Sequence, residues 1–328
     1  MVWRSHPSRR PSGSAGPTAA LLLAGLLAGA CSALTDFSPI DRPDGEAPPD
    51  TTPRDDAGAE VDDAGGGEAS MHCHDGANPC PAGTLLVPCG PAVIGSDPAE
   101  GDTDEEPEHT VDVSAFCIDA AEVTNLNYAA CVAAGGCDAP AATGSATRSS
   151  YYGNPTYDSF AVVNVTWFQA DAYCAWVGKR LPTEAEWEKS ARGGCELRAP
   201  VGCGPEDELT YPWGEAEPVC ERANFVGCIA DVDRVQARPT GASPYGVQDM
   251  TGNVQEWVSD WYLGTSYDTC RFGTCVDPTG PGLGSEKVFR GGHWESVPGY
   301  LRAANRFRQL PGFYDYHTGF RCVAPIRP

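Results

Sequence analysis

Hydrophobic and polar positions follow a helical period in three short stretches of the chain. Glu122 to Ala134 reads as a helix, with Thr124 as its cap and Gly135-Gly136 as its stop. From Thr166, the residues Trp167, Ala170, Tyr173, Cys174 and Val177 fall on one face, and Gly178 ends the run. Pro182-Thr183-Glu184-Ala185-Glu186 opens a third helix, because Thr183 with Glu186 three residues later forms a capping box; Gly193-Gly194 closes it. The rest after residue 73 is rich in Gly, Pro, Asn and aromatics, with short strand-like pieces such as Val288-Phe289-Arg290. No repeat or internal boundary breaks this region. The pattern predicts one α+β domain with little regular secondary structure.

The N-terminus follows a different pattern. Arg4, Arg9 and Arg10 precede an apolar run from Thr18 to Ala30, which ends at Ala28-Gly29-Ala30-Cys31. A basic start, a short apolar core and small residues at a cut describe an export signal, and the four residues resemble a bacterial lipobox with Cys31 as the lipidated position. From 36 to 70 the chain holds eleven acids against Arg42 and Arg54, with no aromatic after Phe37. Such a composition cannot bury a core and reads as an extended tether. The expected organisation is 1–31 signal and lipobox, 32–72 disordered acidic tether, and 73–328 folded domain. The expected location is the bacterial cell envelope, periplasm or surface, with a membrane contact through the lipid.

Composition narrows the chemistry. The chain has 22 basic and 45 acidic residues, a formal charge of −23, so a nucleic-acid partner is not expected. Seven acids crowd Asp97 to Glu108, which reads as a solvated loop. Without Cys31, fourteen of the 15 cysteines remain, an even set in an exported chain, which suggests complete pairing. Proximity suggests the local bridges Cys131–Cys137, Cys270–Cys275, Cys195–Cys203 and Cys220–Cys228, although sequence alone does not fix connectivity.

A set of ordered motifs carries a family resemblance. These are Glu122-Val123-Thr124-Asn125, Val163-Asn164-Val165-Thr166-Trp167, and the run Gly178-Lys179-Arg180-Leu181-Pro182-Thr183-Glu184-Ala185-Glu186-Trp187-Glu188. Further on come Tyr211-Pro212-Trp213-Gly214, the run from Gly246 to Trp257, Arg290-Gly291-Gly292 and Gly319-Phe320-Arg321-Cys322. Over roughly residues 81–326 the chain resembles the sulfatase-modifying-factor family, whose founder is the formylglycine-generating enzyme. The resemblance implies a single domain of that type, related to C-type lectins.

It also implies what has been lost. The founder oxidises a substrate cysteine with Cu(I) held by two cysteines, and here those positions are Ser296 and Leu301; no cysteine lies between Cys275 and Cys322. Soft Cu(I) requires thiolates, so copper and the oxidase reaction are not expected. A second bridge of the founder falls on Ala191 and Arg306, while another is retained as Cys174–Cys322. The resemblance further implies a structural Ca2+ held by the side chains of Asp249 and Glu256 and the carbonyls of Gly252 and Val254. A second, weaker calcium site begins at Asn224 and the carbonyl of Phe225, with Asp231 or Asp233 as its distal acid. No catalytic residue is assigned. The family cleft falls near His293, Trp294, Glu295, Ser296, Tyr300 and Arg302, and suits a glycan, a peptide or an envelope protein. The expected function is a non-oxidase module that binds a ligand or partner. The alternative is an enzyme modifying an exported protein or peptide by other chemistry; a formylglycine-generating oxidase acting on sulfatases stands third.

Overall fold

The computed structural model describes residues 79–98, 101–198, 203, 209–273 and 275–326. Cys31, Cys73, the signal segment and the tether lie outside the described residues. Within them the order is β1 Thr84–Val87, β2 Gly90–Ile94, β3 His109–Val113, β4 Phe116–Asp119, α1 Asn125–Ala133, α2 Trp167–Trp176 and α3 Glu184–Arg192. There follow β5 Gln255–Trp261, β6 Cys275–Val276, β7 Lys287–Arg290, β8 Phe307–Gln309, β9 Thr318–Phe320 and β10 Val323–Pro325. The strands form three small sheets, in the orders β1-β4-β10, β2-β3-β6 and β8-β7-β5-β9. Long irregular segments join them, as the density of Gly and Pro requires. No helix of the described residues is long and apolar enough to cross a membrane.

The helices start where their caps dictate. Thr124 accepts from the Asn127 amide at the start of α1. Thr166 and Thr183 each close a full capping box, with Gln169 and Glu186 respectively. Ala170, Tyr173 and Cys174 of α2 are buried, where they meet Trp257, Phe289 and Phe320.

Helix α3 is unusual. All nine residues of Glu-Ala-Glu-Trp-Glu-Lys-Ser-Ala-Arg are buried, although five carry charge. Isolated charges cannot be buried so; each must find a partner. Arg290 donates to Glu184 at 2.9 Å and to Glu188 at 2.6 Å, and its own side chain is fully buried. Arg306 holds both oxygens of Glu184, at 2.7 and 2.9 Å. Arg192 binds Glu188 at 2.8 Å, and Lys189 donates to the carbonyls of Pro88 and Gly90. Trp187 Nε1 reaches Glu256, whose two oxygens are also held by Arg321. One helix thereby joins β2, β5, β7 and the segment before β8.

The described cysteines are cross-linked. The pairs Cys131–Cys137, Cys174–Cys322, Cys195–Cys203, Cys220–Cys228 and Cys270–Cys275 are bonded as expected. Cys80–Cys117 is an additional bridge, and Cys89 is also disulfide-bonded. Cys80–Cys117 pins the residues before β1 to β4, a link that sequence proximity does not suggest. The acidic run from Asp97 is not wholly solvated. Glu105 is fully buried and accepts two hydrogen bonds from Arg302, at 2.6 and 2.7 Å, and one from Ser96.

The ion network predicts a specific weakness. Arg290→Met leaves two buried carboxylates short of a partner and should destabilise the fold by about 3–5 kcal/mol. Urea unfolding with the disulfides intact measures this; a loss near zero would mean that the network does not hold the core.

Candidate functional site

The segment where the resemblance sets the family cleft begins at the end of β7. Gly291 and Gly292 turn the chain with φ of 91° and 67°. A Cβ on Gly292 would stand 2.8 Å from the Tyr300 carbonyl and 2.9 Å from Leu301 Cδ2, so only glycine fits. The next four residues are thereby held in a compact turn: the His293 amide donates to Ser296 Oγ at 3.0 Å, and the Glu295 amide to His293 Nδ1 at 3.3 Å.

These residues meet a segment far along the chain. The His293 ring lies 4.0 Å from that of His317, and Trp294 lies 5.0 Å from His317 and 6.1 Å from Tyr316. His317 sits between two carboxylates, with Nε2 3.2 Å from Glu295 and Nδ1 3.2 Å from Asp315. Asp315 also accepts from Thr318 and is held below the usual carboxylate range by hydrogen bonds and the charge of His317, which outweigh burial. Burial, with His317 beside it, pushes His293 down to about 4, so His293 is a neutral ring at physiological pH. Trp294 Nε1 is buried without a partner. The result is an aromatic wall with an exposed acid, Glu295, and an imidazole at its rim. The exposed ring of this group is Tyr316, which can stack against a ring, while Glu295 can accept hydrogen bonds from hydroxyls.

Tyr300 and Arg302 do not join this group. Tyr300 is half exposed and packs edge-on against Phe307. Arg302 is drawn away by the buried charge of Glu105 and lines a separate polar cavity of about 350 Å³ with Arg192 and Tyr211. Ser296 Oγ and Leu301 Cδ2 both border the Gly292 position. The two residues at the founder's copper positions therefore flank one glycine, and neither is a thiol. Arg306, at a founder bridge position, is the partner of Glu184.

The expected calcium loop is also well defined. Asp249 and Asn253 have φ of 58° and 61°, and β5 follows. Asp249 Oδ2 accepts from the Gln236 amide at 2.6 Å. Facing it is Glu122, only 3% exposed, which accepts from Asn253 Nδ2 at 2.9 Å through Oε1; its Oε2 is buried without a partner. Burial first and then the charge of Asp249 push Glu122 well above the usual carboxylate range, and burial raises Asp249 as well. Two buried acids side by side need a shared proton or a cation. Glu256 instead balances Arg321 at 2.6 Å.

The second loop is differently occupied. Asp231 accepts from Ser145 and Thr147 and pairs with Arg148 at 3.4 Å, while Asp233 pairs with Arg238 at 2.9 Å. Asn224 turns its amide nitrogen to the Asp231 carbonyl. Its acids are already paired, and this loop does not fit a cation. Among the described residues, no group of three or more His, Cys, Asp or Glu side chains is arranged as a metal site, so the first loop would have to add carbonyl oxygens, as Ca2+ accepts.

Residues 73–326 match the model of the Sulfatase-modifying factor enzyme 1-like domain. The chain belongs to this family. It is 32% identical over 301 residues to the formylglycine-generating enzyme of Thermomonospora curvata, covering 74% of this chain and 93% of that protein. It is 36% identical over 247 residues to the serine/threonine-protein kinase pkn1 of Chlamydia caviae, covering 70% of this chain but only 36% of the kinase. The chain thus spans about a third of that relative's length. Among solved structures, PvdO from Pseudomonas aeruginosa shares the fold at 24% identity, with a TM-score of 0.59, covering 79% of this chain and all of that one.

Within this sulfatase-modifying-factor domain, sequence reasoning placed His293 to Ser296 but missed Asp315, Tyr316 and His317. The cluster of Tyr314, Asp315, Tyr316 and His317 just before the Gly319-Phe320 motif was the available signal. The buried acid beside Asp249, Glu122, was also missed, although it opens the Glu122-Val123-Thr124-Asn125 motif. A cation between Glu122 and Asp249 predicts that dialysis into EDTA lowers the melting temperature and that added CaCl2 restores it. Glu122→Gln should abolish that response. An unchanged melting temperature after EDTA would remove the cation.

Proposed function

We propose that this chain is an exported, lipid-tethered ligand-binding member of the sulfatase-modifying-factor family that works without copper oxidation. The observation that carries the reading is at Gly292: Ser296 and Leu301 flank it where the founder has thiols. A hydroxyl and an isobutyl group cannot hold Cu(I). What the turn presents, together with the segment 315–317, is the exposed ring of Tyr316, stacked on the buried Trp294, beside Glu295. An apolar ring face next to acceptors suits a glycan, whose sugar rings offer one flat apolar face and a rim of hydroxyls. Asp249, Glu122 and the carbonyls of Gly252 and Val254 would hold a structural Ca2+. Cys31 would anchor the domain to the envelope, with the acidic 32–72 segment as spacer.

A second reading is favoured by one geometry. The series Asp315–His317–Glu295 has the form of an oriented acid–base pair, which would suit an enzyme acting on an exported peptide or protein.

Glycan-array binding of the oxidised chain tests the first reading, with Tyr316→Ala and Glu295→Gln each expected to weaken the retained glycan about tenfold, or about 1.4 kcal/mol. Tight Cu(I) binding together with aldehyde formation on a CxPxR peptide would overturn the non-oxidase reading. No glycan bound, with turnover of a peptide that His317→Ala abolishes, would favour the enzyme.

A further inference from the structure

A second cavity lies apart from the His293 cleft and shares no residue with its wall. It has a volume of about 350 Å³ and lies among the start of α3, the end of β5 and the stretches 266–270 and 275–281, which the Cys270–Cys275 bridge joins. Its floor is apolar: Ile94, Val111 and Ala185 are nearly inaccessible. Polar side chains also line it, namely Glu184, Ser266, Tyr267, Thr269 and Thr279 together with Asp260 and His109. Asp260, 3% exposed, accepts through Oδ2 from the Glu184 amide and from Ser259 Oγ, both at 2.9 Å. Its Oδ1 lies 3.0 Å from where a Cβ would stand on Gly280, a residue of the cavity wall. His109 contacts the Pro107 carbonyl through Nδ1 at 2.9 Å. A carbonyl can only accept, so Nδ1 carries the hydrogen and the neutral ring keeps Nε2 as an acceptor.

We propose that this cavity is a binding site for a small, uncharged, largely apolar molecule with one oxygen acceptor, which Asp260 receives as a hydrogen-bond donor. The charges around Asp260 agree with that role. Glu184 and Glu186 of α3 act on it as negative charges, and Lys287 and Arg180 as positive charges. Glu184 is already neutralised by Arg290 and Arg306. Burial, then Glu184, pushes Asp260 up to about 7, so its neutral acid form is available to donate. Burial also keeps His109 below its usual value and neutral. The wall's other ionisable group, Glu184, already has its charge paired, so the wall offers no unpaired charge to compensate a charged ligand. The cavity is within the size range of small-molecule sites.

Ligand-observed NMR on the oxidised chain, with acetophenone as probe and ethylbenzene as its acceptor-free counterpart, decides the matter. Acetophenone should bind more tightly than ethylbenzene at about pH 5.5 and lose about thirtyfold in affinity at about pH 8.5, as the neutral fraction of Asp260 falls. Asp260→Asn keeps an amide donor and should bind equally at both pH values. Thr279→Phe, at an exposed position on the cavity mouth, should block the site. Tyr316→Ala, in the other cleft, should leave binding unchanged. No acetophenone bound to the wild type, equal affinity for ethylbenzene, or undiminished binding to the Thr279→Phe chain would each overturn the site.

Discussion

The fold depends on burying charge in pairs. Helix α3 carries five ionisable residues and lies inside the domain on every side. It can do so only because Arg290, Arg306 and the Glu256–Arg321 pair converge on it from separate strands and loops. Removing charges from water costs more than their attraction returns unless the geometry is close to ideal. What the network supplies is registry. Each guanidinium has one set of carboxylate and carbonyl acceptors, and a slipped strand would leave a buried charge unpaired.

This arrangement explains how a chain with strands of two to seven residues holds one shape. Short strands contribute few ladder hydrogen bonds, and long irregular segments carry much conformational entropy. The ion network fixes the centre, and the disulfides shorten the free segments around it. Cys174–Cys322, across 148 residues, is the long-range clasp, worth about 4–5 kcal/mol in the chain-entropy picture. Where the founder has a further bridge, Ala191 and Arg306 stand here. Arg306 takes up Glu184 with two hydrogen bonds, so ionic pairing now occupies a place that a covalent link holds in the founder.

Sequence reasoning reached whatever was local. The Thr183–Glu186 capping box, the glycine stops and the bridges between cysteines five to eight residues apart are each written within one turn or loop. The burial of α3 was not legible. A helix reading Glu-Ala-Glu-Trp-Glu-Lys looks like a solvated face until partners more than a hundred residues away are known. The same holds for Glu105, which lies in a run of acids and is drawn inside by Arg302 and Asn305. In the cleft, residues 293–296 were legible because they follow the glycine turn. His317 was not, since only the parallel pairing of β9 with β5 brings its segment alongside. Tyr300 and Arg302 were grouped with the cleft by the family resemblance, but the short helical turn Pro298–Leu301 carries them elsewhere.

The cleft and the acidic loop are mechanically one unit, and Asn253 is the joint. Its side chain donates to Glu122 and accepts from the Asp233 amide, while its carbonyl accepts from the Trp294 amide at 3.0 Å. The neighbouring Gly252 amide donates to the Gly291 carbonyl at 2.9 Å, and a side chain at Gly252 would collide with Asn224. The turn that presents His293 to Ser296 is therefore hung on the loop that carries Asp249. Whatever balances the Glu122–Asp249 pair, proton or cation, also sets the tension on that loop. The position of the aromatic wall is fixed by these backbone hydrogen bonds to the loop of Asp249 and Asn253.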